Sequence, residues 1–221
     1  MMVTDKYHDK DFAKKYHEVI RIQRETHIYK IITKRIKKRA KGKVLDLGCG
    51  TGLYFEPLLK SRKVDLVVAI DPSAQMVEYA LKEANNSRFS KKIEVHKGVL
   101  ENAPHLRYNT VLSIGVLGTH TEITARVINE ILIRMDRGGR LLIVMPDGDT
   151  KHSELSLISK TYLKLKKVLP FLPKMDFEYY VSKKELNKIL RSSNASLYNF
   201  TSYDANSHCY IGELFIVEVE K

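Results

Sequence analysis

The stretch Val44-Leu45-Asp46-Leu47-Gly48-Cys49-Gly50-Thr51-Gly52 decides how the rest of this 221-residue chain is read. A mainly apolar segment that reads as a strand runs into a turn with glycine at every second position. Glycine lacks the Cβ that would obstruct a tight bend or a ligand lying against the backbone, and a helix opening at Gly52 leaves N–H groups facing the same space. The pattern predicts a nucleotide-type pocket. A phosphate-clasping loop is excluded, because no lysine followed by Ser or Thr completes it. A dinucleotide turn needs its third glycine one place later, where Leu53 stands.

The nine residues resemble motif I of the class I S-adenosylmethionine-dependent methyltransferases, commonly a run of this form. The resemblance implies an α/β, Rossmann-like, doubly wound and mostly parallel seven-stranded sheet ordered 3-2-1-4-5-7-6, with the last strand antiparallel and N-terminal helices acting as a lid. It implies S-adenosyl-L-methionine as cofactor and S-adenosyl-L-homocysteine as product. The cofactor residues it implies are Asp46, Gly48, Cys49, Gly50 and Gly52 in the turn, Asp71 and Pro72 after the second strand, Val99 and Leu100 after the third, and Ile114 ending the fourth.

The chain has room for one well-filled domain and little for two. Its hydrophobic content of 43% and charged content of 29% are those of a globular protein. No apolar run is long enough to cross a bilayer, and Met1-Met2-Val3-Thr4-Asp5-Lys6 leads into no apolar core, so we expect a cytoplasmic protein without membrane contact. The two cysteines, Cys49 and Cys209, form no metal-spacing pair; both are expected to be reduced, with no metal bound.

The net charge of +12 is uneven. Residues 1–43 hold 14 Lys and Arg against 5 Asp and Glu, and residues 151–191 hold 10 against 4. The runs 34–43 and 160–167 are dense enough to offer RNA a polyanion-binding surface, although each serves equally as a solvated face.

Residues 1–43 form the helical lid and 44–221 the cofactor-binding core. Phe12, Tyr16, Val19 and Ile20, then Ile28, Ile31, Ile32 and Ile36, recur at helical spacing and predict two helices within residues 9–40. Phe12-Ala13-Lys14-Lys15-Tyr16 is similar to an aromatic-Ala-x-x-Tyr element of the family, which makes Tyr16 either a pocket residue or a packing residue. A helix over residues 53–60 follows the glycine turn. Leu66-Val67-Val68-Ala69-Ile70 reads as a buried parallel strand that ends on Asp71. A carboxylate there can accept hydrogen bonds from both ribose hydroxyls; the alternative is a helix cap.

Strands are expected over 92–97, 110–114 and 140–145, and over 197–203 and 212–219. After the third strand many relatives carry an acid for the adenine amino group. Val99 holds that position here, leaving backbone groups of Val99 and Leu100, with Glu101 or Asn102 as an imperfect substitute.

Gly115-Val116-Leu117-Gly118-Thr119-His120 resembles the stretch that lies beneath the cofactor and opens toward the substrate, with Gly118 where a Glu often stands. His120 is the candidate base or substrate orienter, since imidazole is partly basic near neutral pH; a structural histidine is the alternative. Residues 146–181 are long for a connection in such a sheet and are expected to build a substrate wall, with Asp147 nearest the pocket.

The sequence determines the acceptor poorly, and two mechanisms known in the family lose support. Ser113-Ile114-Gly115-Val116 replaces the Asn/Asp-Pro-Pro-aromatic signature used for exocyclic amines, and no cysteine stands after strands four or five to attack a pyrimidine. A small-molecule methyltransferase is the first expectation. An RNA or nucleotide methyltransferase comes next, and a non-catalytic module on the same fold is the third reading.

Overall fold

Strand β1 (Gly42–Leu47) lies near the centre of a seven-stranded sheet in a computed structural model that describes residues 5–148, 179, 181–204 and 213–221. β1 pairs in parallel with β2 (Val64–Asp71) on one side and β4 (Tyr108–Ile114) on the other, with Leu45 opposite both Val68 and Val111. β3 (Ile93–Lys97) flanks β2, and β5 (Met135–Pro146) flanks β4. The order is β3-β2-β1-β4-β5-β7-β6, with β7 (Glu213–Glu220) antiparallel to both β5 and β6 (Leu197–Asp204). This is the expected topology, including its single reversed strand.

Alternation along β1 divides the core into two layers. Leu45 and Leu47 face one side, where α5 (Ala125–Ile133) supplies Ile128 and Ile131 and α6 (Lys183–Arg191) supplies Leu186 and Leu190. Val44 faces the other, against Ile32 and Ile36 of α2 (His27–Arg39), Leu58 of α3 (Phe55–Leu59) and Ala80 of α4 (Ala74–Asn86). Strands buried on both faces explain the continuous apolar runs in the sequence.

Side-chain caps set the helix starts. Asp9 accepts from the Phe12 amide to open α1 (Lys10–Gln23), Ser73 accepts from Met76 to open α4, and Ser182 and Glu185 close a reciprocal capping box on α6. α1 lies against α4, where the His17 and Tyr79 rings stack at 4.5 Å and Arg24 pairs with Glu83. α2 is joined to the sheet by Arg35 and Arg39, which pair with the buried Glu218 of β7 at 3.0 and 2.9 Å.

The expected helix opening at Gly52 is corrected. Thr51–Tyr54 form turns and α3 starts at Phe55. Pro57 has no N–H with which to reach the carbonyl of Leu53, so the first helical bond is Leu58 N to Tyr54 O, and Gly52 at φ +85° lies outside helical space. β5 also begins earlier than expected, because Gly138 at φ +68° lets the chain bulge within the strand rather than before it. Of the expected 146–181 wall, only residues 146–148, 179 and 181 are described; the basic run 160–167 and Cys209 lie outside the described residues. Among the described residues, no helix is long and apolar enough to cross a membrane.

Candidate active site

The glycine turn is strapped to its neighbour before any ligand is considered. The amides of Gly48 and Cys49 both donate to the Ile70 carbonyl, at 2.8 and 3.1 Å. The Gly50 amide donates to Asp71 Oδ2 at 2.9 Å, and Asp71 Oδ1 accepts from Ser73 N at 2.9 Å. Asp71 thus both ties the turn to the end of β2 and holds the amide of Ser73, the residue that caps α4. Burial raises its carboxyl above the usual range, opposed by those two amides and by His8.

The carboxyl ends of β1, β2, β4 and β5 open on one cavity of about 530 Å³. Gly50 sits at φ +55°, and a Cβ there would meet nothing closer than the Tyr16 ring at 3.8 Å. A side chain would therefore fill cavity space that a bound ligand needs. Gly52 differs: it does not line the cavity, and its Cβ would strike the Phe55 ring at 2.6 Å, so this glycine answers a packing need.

Asp46 is 3% exposed, and its Oδ2 is buried without a hydrogen bond among the described residues. Burial, then the nearby Asp71, pushes this carboxyl up to about 7. A ligand cation beside it would favour the ionised form. An ammonium partner for Asp46, hydroxyl partners for the remaining lone pairs of Asp71 and a bare backbone at Gly50 together fit the amino acid and ribose parts of S-adenosylmethionine.

Cys49, Pro72, Val99, Leu100 and Ile114 all line the same cavity. Burial raises the Cys49 thiol well above its ordinary value, which keeps it protonated and unreactive. Beyond β3, Asn102 Oδ1 accepts from the Val99 amide at 3.1 Å, so Asn102 closes its own turn while Glu101 lines the cavity. Of the two side chains expected as substitutes for the missing acid, Glu101 is the one so placed.

Tyr16 and His120, the two residues expected at the acceptor, line the same cavity. His120 is presented by a tight turn in which its amide and that of Thr119 both donate to the Val116 carbonyl, at 2.9 and 3.1 Å. Gly118 suits that turn because its φ of +72° is left-handed; an added Cβ would also have to displace the terminal methyl of Met145. Asp147 is half-buried just past β5 and is not among the residues lining the cavity, whereas its neighbour Pro146 is.

Tyr7 lines the cavity without having been expected there. Its hydroxyl lies 2.9 Å from His120 Nε2, its carbonyl accepts from Ser73 Oγ, and its ring meets Phe12 and Tyr16 edge-on. It stands before the α1 cap at Asp9, outside any periodic pattern, so helical spacing could not mark it. Tyr29 and Tyr54, stacked at 5.7 Å, line another part of the cavity. The basic run 34–43 divides: Arg35 and Arg39 are committed to Glu218, and Lys34, Lys37, Lys38, Lys41 and Lys43 are exposed.

A family model described as a methyltransferase domain matches residues 38–197. The chain belongs to this methyltransferase-domain family. A Bradyrhizobium ubiquinone biosynthesis O-methyltransferase is 27% identical to this methyltransferase-family chain over 177 residues, covering 76% of it and 66% of the relative. The chain spans about two thirds of that relative's length and 58% of a second, from Rhodopseudomonas palustris. Among solved structures, an S-adenosylmethionine-dependent methyltransferase from Aquifex aeolicus superposes with a TM-score of 0.64 at 19% identity, covering 96% of this chain and 97% of that one. The N-methyltransferase NodS from Bradyrhizobium japonicum, solved with S-adenosylhomocysteine, gives 0.61 at 11% identity with 90% of each chain covered. These two likenesses show the Rossmann-like methyltransferase fold, and S-adenosylmethionine is the cofactor of the family.

Proposed function

We propose that the protein transfers a methyl group from S-adenosylmethionine to a small-molecule acceptor. The observation that carries this reading is the convergence of Gly48, Gly50, Asp46 and Asp71 on one cavity that Tyr7, Tyr16 and His120 also line. Asp71 would hold the ribose hydroxyls, Asp46 the ammonium group, and Val99 and Leu100 the base. The bound cofactor supplies an already activated methyl group, so no covalent enzyme intermediate is demanded.

What the chain itself must do is orient the acceptor behind that methyl group and keep its lone pair available. Tyr16, on α1, and the 3-10 turn Asp5–His8 would form the lid that excludes water. His120 is the proposed base or orienter. The O-methyltransferase name of the relatives supports an oxygen acceptor, but at 27% identity the acceptor itself does not transfer.

An RNA acceptor is the weaker reading. Two cations of the run 34–43 are engaged by Glu218, which leaves less of it to a polyanion than its sequence suggests.

The test is calorimetric titration with S-adenosylhomocysteine, then incubation of the protein and methyl-labelled S-adenosylmethionine with a metabolite extract and with bulk RNA. Micromolar cofactor affinity with label in a small molecule supports the proposal. Label in RNA, with binding that falls steeply with salt, replaces it by the second reading. Absence of cofactor binding overturns both.

A further inference from the structure

We propose that the amino end of the sheet, opposite the cavity, is a docking surface for single-stranded RNA, which is held there by its phosphates and is not the methyl acceptor. This does not depend on the methyl transfer proposed above. The parallel strands start at that end, and the fold brings cations to it from separate segments of the chain. Lys37 and Lys38 lie in the last turn of α2, and Lys41 and Lys43 flank the first residue of β1. Arg62 and Lys63 precede β2, and the Gly42 amide donates to the Lys63 carbonyl at 2.7 Å. Lys91 and Lys92 precede β3, the strand beside β2. All of these cations are exposed.

Their charge is not cancelled locally. Among the described residues none of them pairs with a carboxylate, whereas Arg24, Lys60, Lys82 and Arg126 each hold one. Asp65 and Glu94 are the exposed acids at the starts of β2 and β3. The dipole of α2 accounts for Lys37 and Lys38 in its last turn. It does not account for the pairs that precede β2 and β3. Like charges at the starts of strands about 5 Å apart repel one another, and a chain of phosphates removes that repulsion while releasing its own counterions.

The chemistry of the row selects its occupant. All but Arg62 are lysines, point charges that hold phosphate without demanding one geometry. Residues 37–43, 62–63 and 91–92 carry no exposed large apolar side chain; the exposed Ile133 and Leu197 belong to α5 and to β6 at the far edge of the sheet. Firm attachment to a bilayer takes an apolar anchor beside the cations, so the row favours RNA over a membrane. Phe89, just before β3, is half-buried with the Arg88 guanidinium 4.7 Å from its ring centre, which leaves no open ring here for a base to stack on. Contact is therefore with the backbone and independent of base sequence. The cations follow the order β1, β2, β3 in a line that one flexible strand can track.

The cavity opens at the carboxyl ends of these strands, about 20 Å away along β1. RNA lying on the row is out of reach of the transferred methyl group. The surface places the protein on RNA and leaves the cavity open to a small acceptor.

Fluorescence anisotropy of the full chain with a labelled oligouridylate of about 20 nucleotides, longer than a single-strand site, is the test. We expect micromolar affinity at about 50 mM salt, falling about 100-fold by about 200 mM as roughly five phosphate contacts are lost to counterions. Lys41→Glu, Lys63→Glu and Lys92→Glu together should lower affinity at least about tenfold and flatten the slope of log affinity against log salt by about 2, which is about 0.7 for each contact removed. The triple glutamine variant should flatten the slope equally with a smaller loss of affinity, which separates charge from misfolding. Both variants should bind S-adenosylhomocysteine within about twofold of wild type, since none of the three residues lines the cavity.

A wild type that does not bind the oligonucleotide overturns the proposal, and binding only to phosphatidylglycerol vesicles would give this face to a membrane instead. An equal loss from Lys14→Glu with Lys15→Glu, exposed on α1, also overturns it, because net charge rather than this row would then be responsible. So does methyl label in RNA that disappears from the row variants, since the row would then be feeding the cavity. RNA binding by a chain that fails to bind S-adenosylhomocysteine supports this surface and removes only methyl transfer.

Discussion

The carboxylate of Asp71 accepts a hydrogen bond from the Gly50 amide across 2.9 Å, so the end of one strand fixes the shape of the turn that leaves its neighbour. The same group faces the cavity. Removing it therefore costs a ligand contact and the restraint that presents the turn. Asp71→Ala is expected to weaken S-adenosylhomocysteine binding by about 10- to 100-fold, on the scale of one or two hydrogen bonds to a charged group, with the circular dichroism spectrum unchanged. Normal affinity in titration calorimetry would mean that the ribose lies elsewhere.

Gly50 and Gly52 separate binding from stability. At Gly50 a β-branched side chain would stand in the cavity below Tyr16, so Gly50→Val is expected to abolish S-adenosylhomocysteine binding. At Gly52 an added Cβ meets the Phe55 ring, so Gly52→Ala is expected to lower unfolding stability by about 1–3 kcal/mol. Urea unfolding and calorimetry on both variants check the pair. A Gly52 variant that loses affinity without losing stability contradicts this division.

Asp46 gives the site a pH dependence of defined sign. Its carboxyl is raised by burial, then by Asp71, from 3.8 to about 7, so between those values the folded protein holds a proton that the unfolded chain has lost. The ligand-free protein is thus least burdened by Asp46 below about pH 4 and loses that stability as pH rises toward 7. Asp46→Asn should raise the melting temperature relative to wild type above pH 7, by a margin that shrinks at pH 5.

Ligand binding runs the other way. An ammonium group favours the carboxylate, so S-adenosylhomocysteine affinity should fall by up to about tenfold per pH unit below 7, with proton release on binding. Calorimetry in buffers of different ionisation enthalpy measures that proton, and Asp46→Asn should abolish its release.

Glu218 is 8% exposed and pairs with two partly exposed arginines of α2. Glu218→Ala leaves Arg35 and Arg39 without their carboxylate, although Arg35 keeps Thr201 and Tyr203 as acceptors. Discounted for the water that reaches both guanidinium groups, the expected loss is about 1–3 kcal/mol in urea unfolding. Cofactor affinity should be unchanged, since none of these groups lines the cavity.

Much of this could be read from the chain because the relevant signals are local. The run Val44 to Gly52 places strand, turn and pocket within nine residues, and the apolar alternation of residues 197–203 and 212–219 marks the closing strands. The start of the helix after the turn lies later than apolar spacing predicts, because Pro57 withholds an N–H that such spacing does not register. Gly118 stands as a departure from a family pattern, and its left-handed backbone at φ +72° is what favours glycine there. Tyr7 was invisible for a related reason: its place depends on Ser73 and His120, which only the folded chain brings to it. Contacts between distant segments leave no period in a sequence.

β7 is the seventh strand in chain order but the sixth across the sheet, inserted between β5 and β6. During synthesis, then, β6 emerges before the strand that will hold it, and the facing edges of β5 and β6 stay unpaired until β7 arrives. Val217, Val219 and Ile216, all buried in the finished sheet, are among the last residues of the described core to reach their partners. Between the completion of β6 and the arrival of β7, a nascent chain of this protein carries two open strand edges. Aggregation should accordingly be governed by how quickly residues 213–220 reach the sheet, and a chaperone that shields strand edges should act on this protein until they do.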